Sequence, residues 1–174
     1  MSVARASMKH VDTTTPSLTL RPFTVDDAER LLSGEVDPRD GWEGGYSFTE
    51  EPELLLEYVA AVRASGDPAP FGPYLVHLVN GDVTGAAVGG VNLFGPLSDE
   101  GAIEFAFALV PAARGRGLAD QVVSEALALA RANGARIVRA EAEIANLPAR
   151  KVLERSGMGE SARTDESITY EIRF

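Results

Sequence analysis

The chain contains no cysteine, which excludes disulfides, thiolate metal sites and any route through an acyl-cysteine intermediate. Histidine is almost as scarce. His10 sits in a polar amino-terminal stretch and His77 in an apolar strand, a spacing that assembles no zinc cluster, so no metal is expected. Lysine and arginine together number 16 against 26 aspartates and glutamates. The net charge of −10 disfavours nucleic-acid and anionic-membrane partners and attracts a cationic small molecule or peptide, although acidity also serves solubility. No apolar run reaches signal-peptide or membrane-spanning length, so the cytoplasm is the expected compartment. Gly-Lys-Ser and Gly-Lys-Thr are absent, so there is no P-loop.

What remains is ordinary for a globular protein: 174 residues, 45% hydrophobic and 24% charged, enough for one domain with a substantial core. Residues 1–17, with three consecutive threonines and Pro16, read as a flexible leader before a single domain over 18–174. Residues 18–23 alternate as a first strand and stop at Pro22. Thr24 then caps a helix that Gly34 ends, with Asp26 and Asp27 in its first turn. A glycine-rich loop from Glu35 to Glu51 carries Trp42, Tyr46, Phe48 and six carboxylates. Helical spacing of Leu54, Leu55, Tyr58, Val59 and Val62 predicts a helix over 53–64, and residues 65–70 break it. Strands follow over 71–79 and 84–94, joined by the hairpin signal Asn80-Gly81-Asp82, with Gly89-Gly90 marking a bulge. A fourth strand covers 102–110. A long helix from about Gly115 to Asn133, a strand over 136–144, a short helix capped by Asn146 and a final hairpin complete the order. The result is an α+β fold with a mixed, mostly antiparallel sheet and about four helices.

The most informative stretch runs from Ile103 to Ala132. An apolar strand ends at Pro111, a glycine-punctuated turn follows, and a helix begins. Gly115 and Gly117 free the backbone, the helix directs its first N–H groups into the turn, and Arg114 and Arg116 add charge, which together make an anion site. Asp120 stands where a dinucleotide fingerprint would place its third glycine. Arg114, Gly117 and Ala119 instead match Arg/Gln-x-x-Gly-x-Gly/Ala, and this resembles the acyl-coenzyme A pyrophosphate loop of the GNAT superfamily of N-acetyltransferases. Three more segments resemble its ribosomal-protein-acetyltransferase-like branch: residues 18–23 followed by 25–28, residues 102–111 with Glu104 ten positions before Arg114, and residues 146–158. The element order resembles the GNAT fold from Leu18 to Phe174, with its V-shaped splay between central strands.

The resemblance implies acetyl transfer from acetyl-CoA, as co-substrate, to a primary amine in a ternary complex. The acceptor is a small cationic molecule or a protein N-terminus, and a homodimer is common among relatives. Leu109 and Val110 would lie where the strands part, free to pair with pantetheine and to polarise the thioester carbonyl. Arg114, Gly115, Arg116, Gly117, Leu118 and Ala119 would seat the pyrophosphate. Asn146 would touch the pantetheine arm or cap its own helix, and Arg150 and Lys151 would reach the 3′-phosphate or be solvated.

An attacking amine must first lose a proton. Glu104, in an otherwise apolar strand, is the candidate base. Its face carries Ala102, Ala106 and Ala108, small enough to admit a ligand; a structural pairing with an arginine is the rival role. The substrate side is expected from the 35–51 loop, through Trp42 and Tyr46, with His77 and Asn92 as further candidates, since rings and carboxylates suit an organic cation. Two positions depart from the family pattern: Leu153 replaces a tyrosine that protonates the thiolate in many members, and Ala149 replaces a serine. Either the thiolate leaves unaided or Tyr46, Tyr74 or Tyr170 donates. The departures keep open a non-catalytic acyl-CoA-binding protein of the same fold, and another phosphate ligand in the glycine turn is a third reading.

Overall fold

The computed structural model describes residues 17–35, 41–42, 52–80 and 83–174. Tyr46, the leader up to residue 16 and the 81–82 turn lie outside the described residues. Strand β1 (Ser17–Pro22) leads into helix α1 (Val25–Ser33) through a capping box. Thr24 Oγ1 accepts the Asp27 N–H, and the Asp27 carboxylate accepts the Thr24 N–H at 2.9 Å. Gly34, at φ 75°, closes the helix in the left-handed conformation.

Asp27 also pairs with Arg21 and Arg30, at 2.9 and 3.0 Å. Burial alone would raise its pKa, but the hydrogen bonds from Thr24 and Arg21 outweigh that and hold the carboxyl below the ordinary aspartate value. A lowered native pKa means that this contribution is complete above the unfolded value near 3.9 and is lost as the pH falls below it. Asp27→Ala should therefore cost about 3 kcal/mol at pH 7, and the gap to wild type in denaturant melts should narrow under acid. A gap that stays constant down to pH 3 would overturn this account.

Helix α2 (Pro52–Ser65) precedes the antiparallel strands β2 (Gly72–Asn80), β3 (Val83–Phe94) and β4 (Ala102–Leu109). A single 3₁₀ turn, Pro111–Ala113, leads to α3 (Leu118–Ala132). The long helix thus begins at Leu118, three residues after the expected start near Gly115. Gly115 and Gly117 have φ 73° and 75°, which no α-helix accommodates. Strand β5 (Ile137–Glu143), helix α4 (Leu147–Arg155) and the hairpin β6 (Gly159–Arg163) and β7 (Ser167–Arg173) follow. Seven strands form one sheet in the order β1-β2-β3-β4-β5-β7-β6.

Apolar side chains fill both faces. On one, α3 lays Leu118, Val122, Val123, Ala126 and Leu127 against Ile103, Phe105 and Leu109 of β4 and Val138 and Ala140 of β5. Each fully buried branched side chain contributes about 1.5–3 kcal/mol. On the other, Phe23, Ala28, Leu55, Val59 and Leu75 form a smaller cluster under α1 and α2. The expected bulge is in β3, where Val76 pairs with Gly89 and His77 with Ala87, leaving Val88 as the extra residue beside the glycine pair.

One irregularity positions the site. β4 and β5 are parallel neighbours paired only at Ala102–Ile137, Ile103–Val138 and Glu104–Arg139. Beyond Glu104 the two strands diverge, which leaves the edge of β4 from Phe105 to Leu109 facing a wedge.

Candidate active site

At the open end of the wedge the chain turns through Arg114 to Gly117 into α3. Gly117 is the N-cap and contributes no side-chain cap, so the first N–H groups of α3 face outward for an anion. A Cβ built on Gly115 or Gly117 would meet nothing within 4 Å. These glycines are set by their left-handed backbone, and the space above them is clear for a ligand. Arg114 donates through Nε to the Leu109 carbonyl at 3.0 Å, tying the turn to the end of β4. Leu118 is fully buried and anchors the first turn in the core, while Ala119 is half-buried beside it. Asp120, one residue further, is held by Arg155 of α4 through two hydrogen bonds of 2.8 and 2.9 Å, so its charge is neutralised next to the anion site.

Backbone direction separates Leu109 from Val110. Val110 N–H donates to Val88 carbonyl at 2.9 Å and is engaged in the sheet. Leu109 sits opposite Gly89 in a non-hydrogen-bonded pair, so its own N–H and carbonyl point away from β3 into the wedge. A Cβ on Gly89 would lie 2.3 Å from the Ala108 carbonyl oxygen and 2.8 Å from Leu109 Cδ2. This glycine lets β3 and β4 approach where Leu109 is placed.

Asn146 is the N-cap of α4, its Oδ1 accepting the Ala149 N–H at 3.2 Å. Arg150 is engaged inward, donating to the Tyr170 hydroxyl at 3.2 Å and the Ile144 carbonyl at 2.9 Å. Leu153 is 1% exposed and belongs to the core. The Tyr74 hydroxyl donates to Pro70 carbonyl at 2.6 Å, and the buried Tyr170 hydroxyl donates to Glu154 at 3.1 Å. Burial and the charge of Asp67 push the Tyr74 phenol up.

Glu104 is exposed, on the sheet face shared with Ala106 and Ala108. Its cross-strand neighbours are Phe94 and Arg139, and Arg139 is already paired with Glu171 at 2.8 Å. The buried Glu–Arg pair that a carboxylate in an apolar strand would require is therefore not formed. Glu104 and Leu109 are five positions apart, about 17 Å at a strand's rise, which is beyond direct proton transfer between those two points.

A cavity of about 1080 Å³ opens on that same face. Its floor includes Asn92 of β3 and Ala106 and Ala108 of β4; its walls come from α2 and the 65–73 segment. The floor thus ends on the strand whose other edge bounds the wedge. Asn92 is the one candidate substrate residue among its described lining. His77 is 2% exposed, its Nδ1 lies 3.0 Å from the Gly85 carbonyl, and its Nε2 has no partner. Trp42 bridges to Ala87 and packs against both core clusters. The lining residues Phe71 and Tyr58 had no place in the sequence reading of the site, and Tyr74 entered it only as a candidate proton donor; the breaker cluster between aromatic-bearing segments was the only signal for this wall. Among the described residues no group of acids and histidines suits a metal ion.

Residues 17–159 match the family described as the acetyltransferase (GNAT) domain. No curated protein sequence registers as a match. Among solved structures, the GNAT domain of S. lividans PAT is 20% identical with TM-score 0.62, covering 95% of this chain and 100% of that one. A chimera of the Vibrio cholerae spermidine N-acetyltransferase is 16% identical with TM-score 0.64, covering 90% and 95%. A Methanocaldococcus jannaschii domain is 17% identical with TM-score 0.62, covering 91% and 99%. At these identities the likeness is one of fold. The family match over most of the chain, with the mixed sheet, the wedge and the glycine turn in their places, establishes that the protein belongs to the GNAT acetyltransferases.

Proposed function

We propose that the protein transfers the acetyl group of acetyl-CoA to a primary amine by direct attack in a ternary complex. One observation carries the reading: an uncapped helix start and a free strand edge meet at the mouth of the wedge. Amide hydrogens of Leu118 and Ala119, with Arg114 and Arg116 nearby, would bind the diphosphate. The free edge of β4 would pair with the pantetheine amides, and the Leu109 N–H would hold the developing oxyanion. Val110, engaged with Val88, leaves that role to Leu109. Asn146 would help through the helix it caps. Within the family we place the chain in the ribosomal-protein-like branch, on its opening segment and on β4.

The amine nitrogen bonds to the thioester carbonyl carbon, the carbon–sulfur bond breaks, and an amide and a thiol result. Of the two protons the ammonium sheds, one ends on the thiol sulfur and one goes to solvent. Glu104 would accept the first through a chain of waters along the alanine face of β4, given its distance from Leu109. With Tyr74 and Tyr170 donating to Pro70 and Glu154, the donor is either Tyr46, outside the described residues, or water, the latter consistent with a thiol pKa near 8.5.

Glu104→Gln should lower kcat at least tenfold, about the low end for a general base, with coenzyme affinity unchanged and the alkaline-favouring limb of the pH–rate profile steepened. An unaltered kcat across pH would make Glu104 a plain surface charge. Thiol release from acetyl-CoA, assayed against amines that include spermidine, tests the whole reading. Calorimetry with coenzyme A beside ATP and NAD tests the ligand. The core position of Leu153 favours one other reading, a coenzyme-binding protein without turnover; tight coenzyme A binding with no thiol release from any amine would establish it.

A further inference from the structure

We infer that the acceptor is a monoamine with an apolar body of aromatic size, held in the cavity between α2, the 65–73 segment and the β3–β4 floor. This rests on the acetyltransferase reading and names its substrate class. The volume, about 1080 Å³, accommodates a small molecule with room to spare. Aromatic residues supply much of its lining, among them Phe23, Tyr58, Phe71, Tyr74 and Phe94.

The polar groups are few and largely engaged. Tyr58 and Tyr74 donate their hydroxyl hydrogens to the carbonyls of Phe23 and Pro70, at 2.8 and 2.6 Å. They therefore present ring surface and a lone pair to the cavity. Among the described lining residues Asp67 is the sole charged side chain. It is exposed, and its Oδ1 already accepts the Ala69 N–H at 2.9 Å. Phe71 is pinned, because a Cβ on Gly95 would fall 2.7 Å from Phe71 Cβ and 2.8 Å from its Cδ2.

Among the described lining residues the single, exposed carboxylate of Asp67 separates the amine classes. A polyamine places several ammonium groups in the site, and each desolvated cation without a carboxylate is unfavourable. A monoamine brings one cation, and that nitrogen must lose its proton in the reaction. At the β4 end, Ala106 and Ala108 leave space for the nitrogen to reach the parted edge. The rings beyond Asn92 then cover the apolar body.

The experiment uses the whole protein saturated with coenzyme A and, as probes, 2-phenylethylamine, spermidine and a short peptide with a polar first residue. Binding is read by calorimetry and transfer by thiol release. Phenylethylamine should bind at least about tenfold more tightly than either rival, and its kcat/KM should exceed theirs by a similar factor. Phe71→Ala should erase about tenfold of that affinity while coenzyme A binds as before. Val62→Glu, which adds a carboxylate to the wall from α2, should shift preference toward spermidine. Equal or tighter binding of spermidine or the peptide by the wild-type protein would overturn the inference while leaving acetyl transfer intact. Absence of coenzyme A binding would instead overturn the acetyltransferase reading, and this inference with it.

Discussion

Replacing Gly117 by glutamate should yield a folded protein that has lost coenzyme A. The residue has φ 75°, and the direction in which a Cβ would project is open. The fold therefore meets no steric clash, only the 1–2 kcal/mol, roughly, of a left-handed non-glycine residue. The new carboxylate would lie at the start of α3, where the first amide hydrogens are uncapped. There it would accept those hydrogens itself, as an N-cap acid does, and confront the diphosphate with like charge. Coenzyme affinity should fall at least about 100-fold, equivalent to about 2.7 kcal/mol. Circular dichroism melts should drop only a few degrees. Unchanged affinity in calorimetry would remove the diphosphate from this turn.

The second large effect is expected at Gly89→Ala. Here the obstacle is backbone: the added methyl would stand 2.3 Å from the Ala108 carbonyl oxygen. Neither strand yields easily, since Leu109 behind that carbonyl is packed in the core and Arg114 holds the Leu109 carbonyl. Overpacking of this kind costs about 3 kcal/mol, a drop in midpoint of about 6–12 °C for a chain this size. Separation of β3 from β4 would also turn the Leu109 amide, so the surviving folded fraction should lose kcat more than acceptor affinity. A variant that melts with wild type and turns over normally would mean that the close approach is dispensable.

The parts of this site that were readable beforehand are those governed by the local backbone. Gly115 and Gly117 announce a turn that only glycine makes, Pro111 ends β4, and Thr24 and Asn146 announce helix starts. Each works over a few residues of chain. The small-residue face of β4 was readable for the same reason, because alternation is a local rule and Ala106 and Ala108 do line the cavity. What depended on distant packing was not readable. His77 looks like a polar group available to a ligand, yet pairing with β1 and β3 seats it in the interior, against the Gly85 carbonyl. Trp42 looks like a recognition aromatic, but the segment through it bridges to β3 at Ala87 and the ring joins the core. Glu104 looks like a buried charge in an apolar strand, but helices α1 and α2 cover only part of its face. The wall formed by Phe71, Tyr58 and Tyr74 comes from segments that meet only once the sheet exists.

The three-rung seam between β4 and β5 has one more consequence. A sheet stitched along its full length moves as a plate, whereas this one is two plates joined near one corner, with α3 as the strap behind them. A thioester carrier lying in the gap would supply rungs that the protein omits, so occupancy should stiffen the whole molecule. Its melting temperature would then climb with carrier concentration by mass action, and protection from hydrogen exchange would grow most in Phe105 to Leu109 and Ala140 to Glu143.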